Sequence, residues 1–353
     1  MISLVIGGAV SFVITILVTP IAIRELRRRS LGQFIQEEVE MHSHKKGTPT
    51  MGGIVMWIAV FVGYLVSHVR IWPLTSGWKP AVLDFSVEGW LVIMAFLGMG
   101  FIGFLDDYAK VAQKRNLGMS KRWKFLGQVL IAGIFVIGTN AAGVSTTISV
   151  TRTVGVDLGP WVYGLFVLFL LTAMANAVNF TDGVDGLVAG SGSLVFGAYV
   201  LIAFWQFRNP EFYEISGALE LGIVAAAIAG ALAGFLWWNA PPAKIMMGDS
   251  GSQALGGALA SLALLTQTHF LVVVIGGLYV TEAVSVVLQI FTFRTWGKRI
   301  FRMAPIHHHF ELKGWPETVV IIRFWILSGM AVAVGIGLFY AEFLSSSGLG
   351  LAP

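Results

Sequence analysis

The sequence predicts an all-α integral membrane protein of ten transmembrane helices, and three observations carry that prediction. Of 353 residues, 56% are hydrophobic and only 12% charged, about half the charged share of a soluble domain. Apolar runs near the roughly 20 residues needed to cross about 30 Å of hydrocarbon recur along the whole chain. Basic residues gather in alternate loops between those runs, as the positive-inside rule requires. An aromatic share of 12% excludes disorder. The absence of cysteine excludes disulfides, thiolate zinc sites and cysteine nucleophiles.

Taken in order, residues 2–23 form the first span. Its basic cluster (Arg24, Arg27, Arg28, Arg29) follows the apolar run, so the segment reads as a span with its N-terminus outside and not as a cleavable signal. Spans two and three cover 52–69 and 90–105, and the third is followed by Lys110, Lys114, Arg115, Lys121, Arg122 and Lys124. Spans four to seven cover 125–142, 161–178, 187–207 and 221–238. The eighth, 254–268, nearly touches the ninth, 270–293, after which come Arg294, Lys298, Arg299, Arg302 and Lys313. Span ten is 319–340. Loops on the opposite side hold only Arg70, Lys79, Arg152 and Arg208. Odd-numbered loops are therefore expected in the cytoplasm and both termini outside. No fixed-period repeat or linker divides the chain, which reads as one membrane domain over 1–353, with a disordered tail expected over 345–353.

Acidic residues mark where chemistry would sit. Of the seven aspartates, Asp84 and Asp157 fall in outer loops, while Asp106, Asp107, Asp182, Asp185 and Asp249 fall on the cytoplasmic side at span ends. An ionised Asp is costly in a membrane. Five converging on one rim point to a cation held or a proton moved, although any single one also reads as a helix cap. The first cluster is Gly103-Phe104-Leu105-Asp106-Asp107-Tyr108, whose adjacent carboxylates point about 100° apart on a helix. The second runs from Asn176 through Asn179, Asp182-Gly183 and Asp185-Gly186, with too few oxygen ligands for a calcium loop. In the third, Met247-Gly248-Asp249-Ser250-Gly251-Ser252, glycine and serine at a helix N-terminus suit a phosphate.

Lys45 and Lys46 precede a turn through Thr50 into span two, and His307-His308-His309 lie in the last cytoplasmic loop. Consecutive histidines diverge, so they read as phosphate donors or acid/base groups before metal ligands. The Gly98-x-Gly100-x-x-Gly103 spacing follows no strand and reads as a small-residue packing face. Glu282 and Arg323 lie within apolar spans, where a structural pair or snorkelling is as natural as a functional role. His42, His44, His68 and His269 carry no separable signal.

Carboxylates without sulfur select hard cations, and magnesium usually joins one or two of them to substrate phosphates. Placed at a membrane interface, that set suits phosphoryl transfer between a lipid phosphate and a nucleotide-activated diphosphate.

The segments 47–54, 104–110, 176–187, 244–257 and 305–315, in this order, resemble the phospho-N-acetylmuramoyl-pentapeptide transferases. These belong to the polyprenyl-phosphate N-acetylhexosamine-1-phosphate transferase superfamily. The resemblance spans nearly the whole chain, and the three-His segment followed by Phe310-Glu311 is similar to the muramoyl branch in particular. It implies a ten-helix homodimer of the bacterial plasma (inner) membrane with its active site facing the cytoplasm. The implied reaction transfers phospho-MurNAc-pentapeptide from UDP-MurNAc-pentapeptide to undecaprenyl phosphate, giving lipid I and UMP with magnesium (Mg2+), and involves no nucleic acid.

By motif, the resemblance makes Asp249 the magnesium ligand and Asp106 and Asp107 the paired aspartates, with Asp106 deprotonating or positioning the lipid phosphate. Lys45, Thr50, Asn179 and Asp182 match positions lining the nucleotide and phosphate pocket. Asp185, His308 and His309 match required polar positions, and Asn239 and Gln289 fall at pocket positions. Met246 stands where many relatives carry Phe. Two other readings compete: a sister transferase using UDP-N-acetylglucosamine, and an ion-coupled secondary transporter, which would instead set its acids near the bilayer midplane among internal repeats.

Overall fold

The computed structural model describes residues 1–29, 47–70, 81–113, 118–151 and 153–346. In chain order the elements are α1 (Ile2–Arg28), α2 (Gly53–Ser67), β1 (Val69–Arg70), β2 (Ala81–Val82), α3 (Val87–Ala112), α4 (Lys121–Ala141), β3 (Thr147–Ser149), β4 (Thr153–Asp157) and α5 (Gly159–Thr181). They continue with α6 (Leu187–Arg208), α7 (Pro210–Tyr213), α8 (Ala218–Asn239), α9 (Gly248–Leu265), α10 (Leu271–Ile275), α11 (Gly277–Trp296), α12 (Ile306–Glu311) and α13 (Glu317–Ser346). Among the described residues, seven helices are long and apolar enough to cross a membrane: α1, α3, α4, α5, α6, α8 and α13. This is a mostly helical, multi-pass membrane protein.

The ten expected spans fall on described helices, the ninth on two of them, and four differ from expectation. Helix α2 has 15 residues, about 22 Å at 1.5 Å per residue, short of a full hydrocarbon core. Helix α9 starts at Gly248, before the apolar run begins, and is rich in Gly, Ala and Ser. It needs no lipid-compatible surface because every residue over 250–265 is buried by protein. The ninth run is broken at Gly276 into α10 and α11. Helix α13 continues to Ser346, so the first two residues of the expected tail are helical, while 347–353 lie outside the described residues.

Beyond the expected helices, β1 pairs antiparallel with β2, and β3 with β4. Both hairpins sit at the end of the bundle where α2 finishes. There His269 ties β3 to the bundle: its Nδ1 lies 2.9 Å from Ser149 Oγ and its Nε2 3.2 Å from Tyr163 Oη.

Helix α9 is the axis around which α3, α5 and α2 pack. Small residues allow the close approach that membrane helices use in place of a hydrophobic driving force. A Cβ on Gly256 would overlap the Met174 carbonyl of α5, and one on Gly257 would lie 2.7 Å from Met99 Cγ of α3. A polar ladder runs between these helices: Asn176 Nδ2 donates to Gln128 Oε1 at 3.0 Å, and Gln128 Nε2 to Gln253 Oε1 at 3.0 Å. Around this centre, Leu17, Ile137, Trp161 and Leu165 are exposed large apolar side chains, the surface that lipid would cover.

The Gly256→Val variant is expected to lose about 1–3 kcal/mol from overpacking against α5, read as a lower melting temperature in detergent. Gly133→Ala, where a Cβ meets nothing within 4 Å, is expected to gain about 0.5–1 kcal/mol from helix propensity.

Candidate active site

The site begins with a backbone contact. A Cβ on Gly103 would overlap the Asp249 carbonyl, so only glycine lets α3 reach the first turn of α9. One helical turn further, Asp107 Oδ2 accepts the Ser250 backbone N–H at 3.0 Å, occupying one of the free N–H groups that open α9. Gly248, at φ +73°, turns the chain into that helix, and a Cβ there would stand 2.5 Å from Asp107 Oδ2 and 3.0 Å from Thr50 Oγ1. Thr50 reaches this position because its segment is hydrogen-bonded through the backbone to the irregular segment before α9. Met246 N–H donates to the Pro49 carbonyl at 2.7 Å, and Gly52 N–H to the Met246 carbonyl at 3.0 Å.

Two lysines gather the carboxylates. Lys110 Nζ lies 2.8 Å from Asp106 Oδ2, 3.6 Å from Asp107 Oδ1 and 3.2 Å from Asp249 Oδ1. Its four- and three-residue spacing from Asp106 and Asp107 puts all three side chains on one helical face. Lys124, near the start of α4, lies 2.6 Å from Asp249 Oδ2 and 3.5 Å from Asp106 Oδ2. Asp106 Oδ1 also accepts the Met119 backbone N–H at 2.8 Å. Three carboxylates from two helices thus share two ammoniums. The motifs mark neither lysine, although the helical spacing of Lys110 from the aspartate pair points to it.

Asp182 closes the cluster from the end of α5. Its carboxyl is held well above the usual carboxylate range, first by burial and then by the charges of Asp249, Asp107 and Asp185, against which the Gly248 backbone N–H acts. Asn179, one turn earlier, donates from Nδ2 to Ser252 Oγ on α9 at 3.0 Å.

The histidines approach from α12. A Cβ on Gly183 would lie 3.3 Å from His308 Nε2, so this ring borders the Asp182 loop. His308 Nδ1 stands 2.6 Å from Glu311 Oε2. His309 Nδ1 accepts the Arg302 backbone N–H at 3.0 Å, so its neutral ring carries the proton on Nε2. Burial, Lys313 and Arg302 hold the His309 ring below the usual range, favouring that neutral form. Helix α12 is braced by Phe310 stacked on Trp315 at 4.5 Å and by the Arg323 guanidinium 4.1 Å above Trp315. This cation–π contact is the structural role of Arg323.

Other candidate positions are engaged with backbone. Asp185 Oδ2 accepts the Ala243 N–H at 2.9 Å, and Asn239 Oδ1 accepts the Gly186 N–H at 3.1 Å. Gln289 Oε1 accepts the Ile300 and Phe301 N–H groups at 3.1 and 3.0 Å. These three shape the loops around the cluster. Lys45 lies outside the described residues. Met246 is buried.

Among the described residues, no three His, Asp or Glu side chains stand close enough to cage a metal by themselves. A divalent ion here would draw part of its shell from a ligand, which is how magnesium sites on phosphates are built. Acids, lysines and histidines thus gather at one end of the bundle.

The profile of glycosyl transferase family 4 matches residues 89–267. Curated relatives named phospho-N-acetylmuramoyl-pentapeptide-transferase are similar over almost their whole length. That of Frankia casuarinae is 49% identical over 359 residues, covering 97% of this chain and 98% of its own. That of Corynebacterium kroppenstedtii is 47% identical over 98% of this chain and 99% of its own, and that of Mycobacterium avium 46% over 98% and 99%.

A raised carboxyl is stabilising in its protonated form, so the Asp182 contribution is complete below the unfolded value of about 3.9 and is lost as pH rises through the folded value. Without divalent ions, Asp182→Asn is expected to melt higher than the parent at pH 8, with the difference shrinking toward pH 4. A pH-independent difference in detergent melting curves would contradict this electrostatic reading of the loop.

Proposed function

The chain belongs to glycosyl transferase family 4 and, within it, to the phospho-N-acetylmuramoyl-pentapeptide transferases, and on that premise we propose that it makes lipid I. It transfers phospho-MurNAc-pentapeptide from UDP-MurNAc-pentapeptide to undecaprenyl phosphate, releasing UMP, in peptidoglycan biosynthesis. The observation that carries this reading is the meeting of Asp106, Asp107 and Asp249 with Lys110 and Lys124 in one polar end of a membrane bundle.

In the proposed reaction an oxygen of the lipid phosphate attacks the sugar-bearing phosphorus of the diphosphate. The new P–O bond forms as the bridging bond to UMP breaks. A phosphate monoester, with its second pKa near about 6, is mostly dianionic at neutral pH and needs little activation. Asp106 therefore orients this nucleophile and takes its residual proton. A covalent phosphosugar on Asp106 or Asp107 is the competing route, and trapping such an adduct during turnover would replace direct attack.

The donor set fits magnesium: hard carboxylate oxygens, no sulfur, and a shell left incomplete for substrate oxygens. Asp249 would be its protein ligand, and when bound it supplies neutralisation of the charge on the phosphates. Lys110 and Lys124 offset further phosphate charge, and Thr50, Asn179 and Asp182 line the nucleotide and phosphate pocket, with Lys45 added by the motif resemblance. The His309 Nε2–H donates to phosphate, and His308, set by Glu311, borders the Asp182 loop beside it. Asp185, Asn239 and Gln289 hold the surrounding loops.

The reading extends to a homodimer in the bacterial plasma membrane. In it α2, α9 and the α10–α11 pair join the seven long apolar helices to make ten spans. Both termini lie outside and the site faces the cytoplasm, a sidedness supported by the basic residues beside the acidic cluster.

Incubating the purified protein with UDP-MurNAc-pentapeptide, undecaprenyl phosphate and magnesium is expected to yield lipid I and UMP. Turnover of UDP-N-acetylglucosamine alone would assign the chain to the sister activity instead. Asp249→Asn, isosteric and neutral, is expected to lose more than about 100-fold in kcat while its melting temperature stays near that of the parent. Near-normal activity in that variant would remove the metal assignment.

A further inference from the structure

Two ionisable groups with no part in the reaction just described are buried together beside it. Glu282 of α11 and His307 of α12 are both fully buried, and His307 Nδ1 lies 3.1 Å from Glu282 Oε1. Neither side chain makes a hydrogen bond among the described residues, and each meets the other at ion-pair distance. Polar groups are seldom left in so apolar a position without a purpose, because desolvation is costly and an unpaired charge costs more.

What surrounds the pair connects it to the site. A Cβ on Gly183 would overlap His307 Nε2, so the ring is seated against the backbone immediately after Asp182. The ring of His307 also lies 4.1 Å from that of His308, at an interplanar angle of 57°. His308 in turn is directed by Glu311. One imidazole therefore touches the neighbour of Asp182 on one side and the neighbouring histidine on the other. Its remaining nitrogen faces a carboxylate on a separate helix.

We propose that Glu282 and His307 are positioning residues: the pair clamps α12 to α11 and seats it on Gly183, fixing the distance between His308 and the Asp182 loop. Glycine at 183 is part of the device, since a methyl group there would push the ring off its seat. The two groups act through His308 and Asp182 and touch no reacting atom. The inference rests on the transferase reading only for what the clamp serves; the clamp itself is a property of the fold.

The test compares Glu282→Gln, Glu282→Ala, Gly183→Ala and His307→Gln with the parent by two readouts. Hydrogen exchange without substrate is expected to quicken across residues 306–311 and 182–186 in Glu282→Ala and Gly183→Ala, with the distant α1 and α8 unchanged. In turnover, kcat is expected to fall between about ten- and a hundredfold, with the KM for the nucleotide sugar within about threefold. Glu282→Gln, which keeps volume and hydrogen-bonding capacity, is expected to restore much of that loss. The Glu282→Ala/His307→Gln double variant is expected to be little worse than its worse parent, as groups acting as a unit behave. Unchanged exchange at both segments overturns the clamp whatever the turnover shows. Losses that multiply independently, or that track only a global fall in melting temperature, overturn it too. An inactive parent with altered exchange in the variants would refute the transferase reading and leave the clamp standing.

Discussion

Everything at the polar end of this protein depends on how closely α3 can approach the start of α9. Gly103 removes the side chain that would strike the Asp249 carbonyl, and the backbones meet there. That contact puts Asp249 beside Asp106 and lets Asp107 satisfy the Ser250 N–H. It also brings Lys110 within reach of all three carboxylates. A bulkier residue at 103 would separate the helices, and the acids would become ordinary helix-end residues with no shared partner.

Such a gathering of like charges is held by compensation from several directions. Lysines on α3 and α4 oppose the carboxylates, and backbone N–H groups from Met119, Gly248 and Ser250 face Asp106, Asp182 and Asp107. Further down the bundle, α9 carries Ser and Gln through the centre because neighbouring helices, not lipid, surround it. Its Gln253 Oε1 accepts from Gln128 on α4 and its Ser252 Oγ from Asn179 on α5. The same small side chains that give α9 low hydropathy give it the narrow cylinder that three other helices can share.

Part of the site was legible in the chain and part was not. Asp106, Asp107, Asp182 and Asp249 stood out because acids at the ends of apolar runs are expensive, and the structure draws them together. Lys110 was visible in principle, through its spacing from the aspartate pair on one helical face. Lys124 was not, because nothing local to the start of α4 says which neighbour it meets. Asp185 matches a required polar position and Asn239 and Gln289 pocket positions by motif, and each also accepts a backbone N–H of an adjoining loop. Nothing in the sequence says which loop N–H each of these side chains meets. Arg323 and Glu282, both anomalous in apolar runs, separate only in three dimensions: one covers Trp315 and the other faces His307.

By itself the sequence determined the membrane class, the approximate places of the helices and the family, because hydropathy runs, alternating basic loops and ordered motifs are properties of local composition. Only the tertiary structure decided which helix is central, where the ninth run breaks, and which cations answer Asp249. The meeting at Asp249 rests on contacts between residues more than a hundred positions apart, such as Lys124 with Asp249. The interaction exists only after glycines have let the helices close on one another, and no local pattern records that distance.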